Sequence, residues 1–321
     1  MGTIIEIKGL TKKYGSLTAL NELDLTVEEG AVIGFLGPNG AGKTTTMRIL
    51  TTLLRPTAGA AWVAGHSIHK DRTGVRRSIG YMPDFFGVYE DMKVWEYLDF
   101  YAACYDIPVA ARNGMIDDLL ALVDLGHKKE AFVEELSRGM KQRLCLARTL
   151  AHDPQVLFLD EPASGLDPRA RIEMRELLRE LRNMGKTIFF SSHILSEVAD
   201  ICTSIAVLEA GNLIAHGDIG EMRRRLRSHR QVEMRILGEE DDARVVQEAI
   251  LQSEHAFDGQ TELHGAPLPA GTIRFSFSGD DADLSRFLRD LVRQNVPVIG
   301  FQERHDNLED VFMQVTKGIV N

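Results

Sequence analysis

The sequence has no long uncharged apolar run, and no stretch of it approaches the roughly 18 residues that a membrane-spanning helix needs. The first residues, Met1 to Glu6, also lack the basic segment and the apolar core of a secretory signal peptide. We therefore expect a chain that neither spans a membrane nor carries a signal for secretion.

Cysteine is scarce as well. The three cysteines, Cys104, Cys145 and Cys202, share neither a metal-ligand spacing nor a C-x-x-C spacing. An odd number of widely separated cysteines is typical of proteins from a reducing compartment, where disulfides are rare. We expect all three to be structural thiols.

The sequence has fewer basic residues than acidic ones. The chain carries 37 Lys and Arg against 47 Asp and Glu, a formal net charge of −10. Such a charge repels nucleic acid unless basic residues concentrate on one face, so it argues against a DNA or RNA partner without excluding one. The apolar and charged fractions, 44% and 26%, are those of a globular protein, and 321 residues suffice for two domains.

What the sequence does contain is a glycine-rich stretch that fits G-x-x-x-x-G-K-[ST]. In this motif backbone N–H groups cradle phosphates, the lysine reaches the terminal phosphates, and the last hydroxyl holds Mg²⁺. An apolar strand is predicted before it, at 31–36, and a helix after it, whose N-terminus faces the phosphates. The predicted phosphate-binding residues are Gly37, Pro38, Asn39, Gly40, Ala41, Gly42, Lys43, Thr44 and Thr45.

Nearer the N-terminus, two alternating segments, Thr3–Ile7 and Leu23–Val27, predict strands, with a turn over Lys12–Gly15 between them. Tyr14 in that turn has two interpretations. Its ring can stack on a purine base, a contact worth about 1–3 kcal/mol whatever the base. It can also be an ordinary tyrosine at a strand edge, which position alone favours.

A second candidate nucleotide-binding motif is acidic. It follows an apolar strand at 155–159 and consists of the adjacent residues Asp160 and Glu161. A nucleotide loop requires a metal-holding aspartate after a strand, and Asp160 suits that role together with Thr44. Glu161 would orient or deprotonate the water that attacks the terminal phosphate. The alternative is an acidic strand end at the surface, which an isolated Asp-Glu pair would favour.

Between these motifs, Ser137 precedes a helical run at 144–150 and is a good N-cap, while Gly139 allows close approach of the backbone to an anion. With these segments in order, the chain resembles the ATP-binding subunits of ABC transporters. Their LSGGQ signature corresponds to Leu136–Met140, and their adenine-stacking aromatic to Tyr14. The D-loop corresponds to Ser164, Gly165, Leu166 and Asp167, and the switch histidine to His193 after Ser191-Ser192.

The resemblance covers residues from about 3 to 220 and implies an α/β fold. That fold is a P-loop NTPase core with an antiparallel β subdomain and an inserted helical subdomain at about 87–150, together spanning 1–222. A small C-terminal α+β module would span 223–321. The resemblance also implies a head-to-tail homodimer or paired ATP-binding subunit. Each ATP would lie between the phosphate loop of one subunit and Ser137 and Gly139 of the other, beside Asp167.

The chain departs from the family pattern at two places. The signature usually has glycine and glutamine where this chain has Arg138 and Met140, and the loop after Gly80 usually has glutamine where this chain has Asp84. An ionised aspartate only accepts hydrogen bonds and is one methylene shorter than glutamine, yet it can still contact Mg²⁺ or its water. Our hypothesis is that Asp84 keeps a metal-sensing and catalytic role.

Aromatic residues are dense between 81 and 105. On a predicted helix over Lys93–Tyr105 we expect a buried stripe of Tyr97, Phe100, Tyr101 and Tyr105. Another aromatic group, Phe85, Phe86 and Tyr89, lies in a glycine-containing loop beside Asp84. There an apolar surface would let a cytoplasmic helix of a membrane subunit dock.

After Glu161, a helix opening at Asp167-Pro168 and ending before Gly185 is predicted, followed by strands at 187–190, 205–208 and 213–215. An arginine-rich segment then marks the boundary; a solvated basic face is the favoured interpretation over a lipid contact. Beyond it the pattern predicts a βαββαβ-like module, with a last helix at 308–316. The arginines are Arg223, Arg224, Arg225, Arg227 and Arg230.

Together these features predict an ATPase that uses ATP and Mg²⁺ to power a separate transmembrane permease, for export, from the cytoplasmic face of the membrane. The alternative is a soluble ABC-type ATPase acting on nucleic acid or ribosomes. A GTPase is disfavoured because no Asn-Lys-x-Asp base reader occurs. The predicted catalytic residues are Glu161, His193 and Asp84, and the predicted metal contacts are Thr44, Asp160 and Asp84.

Overall fold

The structure is a computed structural model, and it describes residues 2–85, 87–194, 201–219, 230–237, 240–264 and 270–304. The chain divides into two compact units, Met1–Ile219 and Gly220–Asn321. The division falls close to the boundary predicted between residues 222 and 223.

The first unit alternates strands and helices. In chain order they are β1 (Thr3–Tyr14), β2 (Leu17–Glu28), β3 (Val32–Leu36), α1 (Lys43–Leu50), β4 (Ala58–Val63), β5 (His66–Ser67), α2 (Arg72–Ser78), β6 (Ile79–Met82), α3 (Val94–Cys104), α4 (Val109–Leu122), α5 (Arg138–Leu150), β7 (Val156–Leu159), α6 (Pro168–Asn183), β8 (Thr187–Ser192), β9 (Ser204–Glu209) and β10 (Asn212–Asp218).

A four-stranded antiparallel sheet in the order β2-β1-β4-β5 opens this unit. Its first two strands are longer than the sequence pattern predicts, and the predicted turn over Lys12–Gly15 is wrong for most of its length. Lys12 and Tyr14 still pair with Leu20 and Leu17 across the hairpin. The reversal is confined to the next two residues, because Gly15 adopts φ 59°, which glycine tolerates and other residues rarely adopt.

A six-stranded sheet in the order β10-β9-β3-β8-β7-β6 forms the centre of the unit. Strands β9, β3, β8, β7 and β6 are parallel to their neighbours in this group, and β10 is antiparallel to β9. Every residue of β3 and β7 is buried, as expected for strands covered on both faces. Because parallel strands share a direction, the segments that follow β3, β6, β7 and β8 all leave at the same edge of the sheet.

The helices α3, α4 and α5 form the helical region that the resemblance implies. The predicted buried stripe on α3 is only partly correct. Tyr97 is fully buried and Tyr101 is half-buried, but Phe100 and Tyr105 are each 40% exposed. The exposure of Tyr105 has a local reason, because it follows the last turn of α3 and stacks one face of its ring on His152 with centroids 3.8 Å apart.

The second unit is a βαββαβ module, as the sequence pattern predicts. Its elements are β11 (Arg230–Leu237), α7 (Glu240–Gln252), β12 (Ala256–His264), β13 (Ala270–Phe277), α8 (Asp281–Arg293) and β14 (Val298–Arg304). The antiparallel sheet has the order β12-β13-β11-β14 and buries an apolar face that includes Met234, Ile236, Ile273 and Phe275. Arg230 begins β11, whereas Arg223, Arg224, Arg225 and Arg227 lie outside the described residues, as does the predicted helix at 308–316.

None of the helices in the described ranges combines the length and apolar character that crossing a membrane requires. The three cysteines are free thiols. Cys145 and Cys202 are buried, and burial raises the pKa of Cys145 to about 11, as expected for structural thiols. Cys104 is exposed.

Candidate active site

The glycine-rich loop lies between the end of β3 and the start of α1, at the edge of the central sheet where the parallel strands end. Two of its glycines are required by close backbone approach. A Cβ on Gly37 would lie 2.2 Å from the carbonyl oxygen of Leu208, and one on Gly42 would lie 2.6 Å from that of Ala19. The loop is therefore held between β9 on one side and β2 on the other, with Pro38, Asn39 and Gly40 exposed at its tip.

Lys43 opens α1 and is only 6% exposed. Its ammonium donates to the carbonyl oxygen of Gly37 at 2.7 Å and to that of Pro38 at 3.3 Å. It also lies 3.4 Å from Oε1 of Glu161. A buried ammonium needs such partners, and their positions put its charge where the loop and the catalytic strand meet.

The two carboxylates after β7 are held by a hydroxyl from β8. Ser191 donates through Oγ to Oδ1 of Asp160 at 2.7 Å, and its Oγ accepts the backbone N–H of Glu161 at 2.9 Å. Asp160 is 1% exposed, while Glu161 adopts φ 52°, a left-handed conformation that a glutamate adopts only when its surroundings impose it. The pair is thus oriented by β8, with one carboxylate buried and the other turned towards Lys43.

Glu161 is held from both sides. Its Oε1 faces Lys43, and its Oε2 lies 2.8 Å from Nδ1 of His193. His193 follows β8 directly and its side chain is 45% exposed, so one imidazole nitrogen contacts the carboxylate while the ring borders the open cleft. The sequence-predicted catalytic pair therefore makes direct contact.

Asp84 follows the end of β6 and borders the same cleft. Burial raises its pKa, and the nearby charges of Asp160 and Glu161 raise it further. Arg138 and His193 act in the opposite direction and lower the pKa of Asp84. Asp84 therefore borders the cleft and interacts electrostatically with Asp160 and Glu161, and its metal-sensing role stays a prediction.

These residues surround an open cleft of about 310 Å³. Among the predicted site residues, Gly37, Tyr14, Ser137, Gly139, Asp160 and Asp167 do not border it. The cleft is lined by Ala19, Pro38, Asn39, Gly40, Ala41, Gly42, Lys43, Thr44, Thr45, Asp84, Glu161, Ser164 and His193.

The donor set fits a Mg²⁺ ion held together with phosphates. Oδ2 of Asp160 is buried and has no hydrogen-bond partner, so it has an acceptor position for a metal or its water, and the hydroxyl of Thr44 borders the cleft. No group of three or more His, Cys, Asp or Glu side chains in the described ranges could hold a metal by itself. That is the pattern expected for Mg²⁺, which is usually bound by one or two carboxylates, water and substrate phosphates.

The signature segment lies at the start of α5. Oγ of Ser137 accepts the backbone N–H of Met140 at 3.3 Å, which confirms the predicted N-cap. Both Ser137 and Arg138 are exposed. The first turn of α5 therefore presents its unpaired N–H groups at the surface, away from the cleft lining.

Asp167 and Tyr14 also lie outside the cleft lining. Oδ1 of Asp167 caps α6 by accepting the N–H of Ala170 at 2.8 Å, so the predicted cap is correct. Tyr14, at the end of β1, is 47% exposed. The ammonium of Lys12 lies 5.0 Å from its ring centroid. A half-exposed ring can still stack on a base, so the predicted base contact of Tyr14 stays a prediction.

Sequence reasoning missed the roles of three residues. Ser191 holds the carboxylate of Asp160 and the backbone N–H of Glu161, and Ser164 lines the cleft. Gln142, which is 2% exposed, donates to the carbonyl oxygen of Pro162. For Ser191 the signal was its place two residues before the switch histidine, in the segment Ser191-Ser192-His193. The contact of Gln142 with Pro162 joins residues distant in sequence and has no local pattern.

Comparisons with known proteins agree with this geometry. A family model described as ABC transporter matches residues 20–164. The bacitracin transport ATP-binding protein BcrA of Bacillus licheniformis is 34% identical over 320 residues, with 99% of each chain covered. The Nod factor export ATP-binding protein I of Burkholderia orbicola is 35% identical over 313 residues, with 97% of this chain and 96% of that protein covered.

Solved structures share the fold. One described as the ATP binding subunit of an ABC transporter aligns with a TM-score of 0.63 at 29% identity, and the alignment covers 70% of this chain and 94% of that chain.

Proposed function

The chain belongs to the family of ABC transporter ATP-binding subunits, and we propose that two copies of it close on ATP and drive a separate membrane permease. The predictions of the family, the fold class and an ATPase function are confirmed by these matches. The observation that carries the proposal is the contact between Lys43, Glu161 and His193 at one edge of the central sheet.

In the proposed mechanism, the loop Gly37–Gly42 and the N-terminus of α1 hold the phosphates, and Lys43 neutralises their charge. Mg²⁺, held by Asp160 and Thr44, would supply charge neutralisation at the phosphates. Glu161 orients the attacking water and accepts its proton, and its contacts with Lys43 and His193 keep the carboxylate in place. Asp84 adjusts this site from the β6 side.

The second half of each site comes from the partner copy in this proposal. The exposed N-terminus of α5 carries the partial positive charge of unpaired N–H groups, and Ser137 and Gly139 would bring it against the terminal phosphate bound by the other subunit. Loss of that phosphate by hydrolysis removes the anion between the two surfaces. The dimer then opens, and the permease responds.

Docking to the permease is proposed at the aromatic patch, defined here as Phe85, Tyr89 and Phe100. Phe85 is 89% exposed and Tyr89 54% exposed, and the Tyr89 ring contacts that of Phe100 edge-on at 5.5 Å. Exposed apolar side chains of this size mark interaction surfaces more often than monomer surfaces. Phe86, which the sequence adds to this group, lies outside the described residues.

The relatives named for bacitracin transport and Nod factor export support export as the direction of transport. The chain would then lie on the cytoplasmic face of the membrane through its permease. A role on nucleic acid or ribosomes is not favoured, because relatives that cover nearly the whole chain are named for transport and export.

The test is Glu161→Gln in the full chain. The amide keeps the shape of the side chain but cannot accept a proton, so we expect ATP binding to persist and hydrolysis to fall by roughly 10²–10⁴-fold. With ATP and magnesium, this variant should accumulate as a dimer in size-exclusion chromatography with light scattering. Glu161→Gln combined with Lys43→Ala is the control and should stay monomeric. A single Glu161→Gln variant that remains monomeric in solution and in native membranes contradicts the proposal.

Permease docking is tested separately. Phe85→Ala with Tyr89→Ala should reduce co-purification with the membrane partner and leave the ATPase activity of the isolated chain unchanged. Leu251→Ala is a matched control, because Leu251 is 85% exposed but lies in the second unit. If the double variant co-purifies normally with the membrane partner, the aromatic patch is not the docking site for the permease.

A further inference from the structure

We infer that Arg138 is a positioning residue: it clamps the loop Ser164-Gly165 of its own subunit to the first turn of α5, so that the signature segment and the segment behind the catalytic glutamate move together. The residue stands where the family signature usually has glycine. The signature pattern does not require a long, positively charged side chain at this position. The role of Arg138 is therefore inferred from its own contacts.

The guanidinium of Arg138 lies directly on the loop. Its Nη2 donates to the carbonyl oxygen of Ser164 at 3.2 Å, across 26 residues of sequence. A Cβ built on Gly165 would meet the guanidinium group itself, with Cζ 2.4 Å away. Gly165 has φ 68° and no side chain, so the flat guanidinium occupies the space where any other residue would place its Cβ.

Two further contacts join the same two segments. A Cβ on Gly139 would lie 3.2 Å from Cβ of Ala170, so α5 and α6 approach closely at this point. One turn further along α5, Gln142 is buried and donates to the carbonyl oxygen of Pro162. The segment from Pro162 to Ala170 is thus held by the exposed Arg138 at the surface and by Gln142 in the interior.

This attachment links two different parts of the reaction. The held segment begins directly after Glu161, and Ser164 borders the nucleotide cleft of its own subunit. The first turn of α5 is the surface that, in the proposed function, contacts the nucleotide bound by the partner. Arg138 therefore connects the state of one cleft to the position of the signature that serves the other.

A guanidinium suits this position better than an ammonium. Its planar group covers the bare backbone of Gly165 while one edge donates to Ser164, whereas a lysine offers a single strongly hydrated point charge. Arg138→Lys should therefore restore only part of the effect of Arg138→Ala. The charge of Arg138 also acts on Asp84, because it opposes the rise in the pKa of that carboxyl.

The first experiment is amide hydrogen exchange of the full chain without nucleotide. Arg138→Ala should increase exchange in peptides covering 162–167 by roughly three- to tenfold, the range for loss of one net hydrogen bond. Arg169→Ala is the matched control, because Arg169 lies on nearby α6 with its side chain 91% exposed and pairs only with Glu173 among the contacts described. Unchanged exchange in Arg138→Ala overturns the inference and leaves the proposed function untouched.

The second experiment is a double-mutant cycle on ATP hydrolysis, which rests on the proposed function. Gly165→Ala places a methyl group where the guanidinium lies, so it should lower kcat at least threefold more with Arg138 present than in the Arg138→Ala background. KM for ATP should change by less than about twofold, because the cleft lining is intact. Effects on kcat that are additive within about twofold would show that Arg138 and Gly165 act independently, which overturns the clamp. A rise in KM for ATP as the main effect of Arg138→Ala would assign Arg138 to nucleotide contact and overturn it as well.

Discussion

The two halves of the proposed nucleotide site differ in how much of their structure a single chain supplies. The phosphate half, defined as Gly37–Thr45 with Asp160, Glu161 and His193, has its charged groups buried or paired within one chain. The signature half, Ser137 to Gly139, is largely exposed, and its described contacts are the N-cap bond of Ser137, the bond of Arg138 to Ser164 and the close approach of Gly139 to α6. In the proposed function, this difference means that the phosphate half can bind nucleotide within one chain, whereas the signature half acts on nucleotide bound by a second copy.

The first test of this difference, with the largest expected effect, is Lys43→Ala. Removing the buried ammonium of Lys43 takes away the cation that pairs with Glu161 and that would neutralise the phosphates of ATP. We expect a loss of about 2–5 kcal/mol in ATP binding, or roughly 30- to several thousand-fold in affinity. Binding of ATP to the isolated monomer should be measured by calorimetry, with Lys8→Ala as the control, because the side chain of Lys8 is 63% exposed. If the Lys43→Ala variant binds ATP with near-normal affinity, the phosphate half does not bind nucleotide through Lys43 as proposed.

Ser137→Ala tests the signature half. Its hydroxyl accepts from Met140 and can donate at the same time, so a phosphate presented by the partner can receive its hydrogen. Loss of a hydrogen bond to a charged group is worth about 1.5–3 kcal/mol, so hydrolysis should fall by roughly 10- to 150-fold while ATP binding to the monomer is unchanged. The loss of the cap should also lower the free energy of unfolding by about 1 kcal/mol.

Asp280→Ala is the matched control for that variant. Oδ1 of Asp280 caps α8 by accepting the N–H of Asp283 at 2.8 Å, so its loss should cost a similar amount of stability, about 1 kcal/mol. Hydrolysis should not change, because α8 lies in the second unit. If both variants lose activity equally, the effect of Ser137→Ala comes from stability and not from contact with nucleotide.

Tyr14→Ala tests whether the phosphate half includes a base contact. Loss of stacking should weaken ATP binding by about 1–3 kcal/mol, roughly 5- to 150-fold, and should weaken binding of other purine triphosphates to a similar degree. Tyr14→Phe keeps the ring and should bind nearly as well as the wild type. If Tyr14→Ala binds ATP as tightly as the wild type, Tyr14 is an ordinary tyrosine at a strand edge and does not stack on the base.

The smallest expected effect concerns the far end of the signature helix. There Nε2 of His152 contacts the carbonyl oxygen of Ile79 at 2.8 Å, and burial lowers the pKa of His152 below its usual 6.5. A histidine whose pKa is lowered by folding stabilises the fold above 6.5, and this stability is lost as the pH falls towards the folded pKa. Protonation should therefore loosen the junction between α5 and β6.

The measurement is denaturant unfolding at about pH 7.5 and about pH 5.5. The wild type should lose stability on acidification, and His152→Gln should lose less. His216, whose pKa burial also lowers, contributes in the same direction and stays in both proteins, so the difference between them isolates His152. If the free energy of unfolding falls equally in the wild type and in His152→Gln, the pH dependence comes from other groups.

The phosphate half was largely predictable from sequence because its signals are local. A glycine-rich turn between an apolar strand and a helix, and an Asp-Glu pair after a second strand, are constrained by the chemistry of phosphates and Mg²⁺ wherever they occur. The N-caps Ser137 and Asp167 were predictable for the same reason, since capping depends on a few adjacent residues. The βαββαβ order of the second unit followed from alternating apolar periodicity.

What the sequence by itself determined was therefore which residues carry charge and which local turns hold phosphate. The tertiary structure decided the rest: that Ser191 holds the Asp160 carboxylate and the Glu161 backbone, that the guanidinium of Arg138 lies on Gly165, and that Phe100 and Tyr105 are partly exposed. These contacts join segments tens of residues apart, and their geometry depends on the strand order of the sheet and the packing of α5 on α6. No local periodicity encodes such distances, because they arise only when the separate segments pack together.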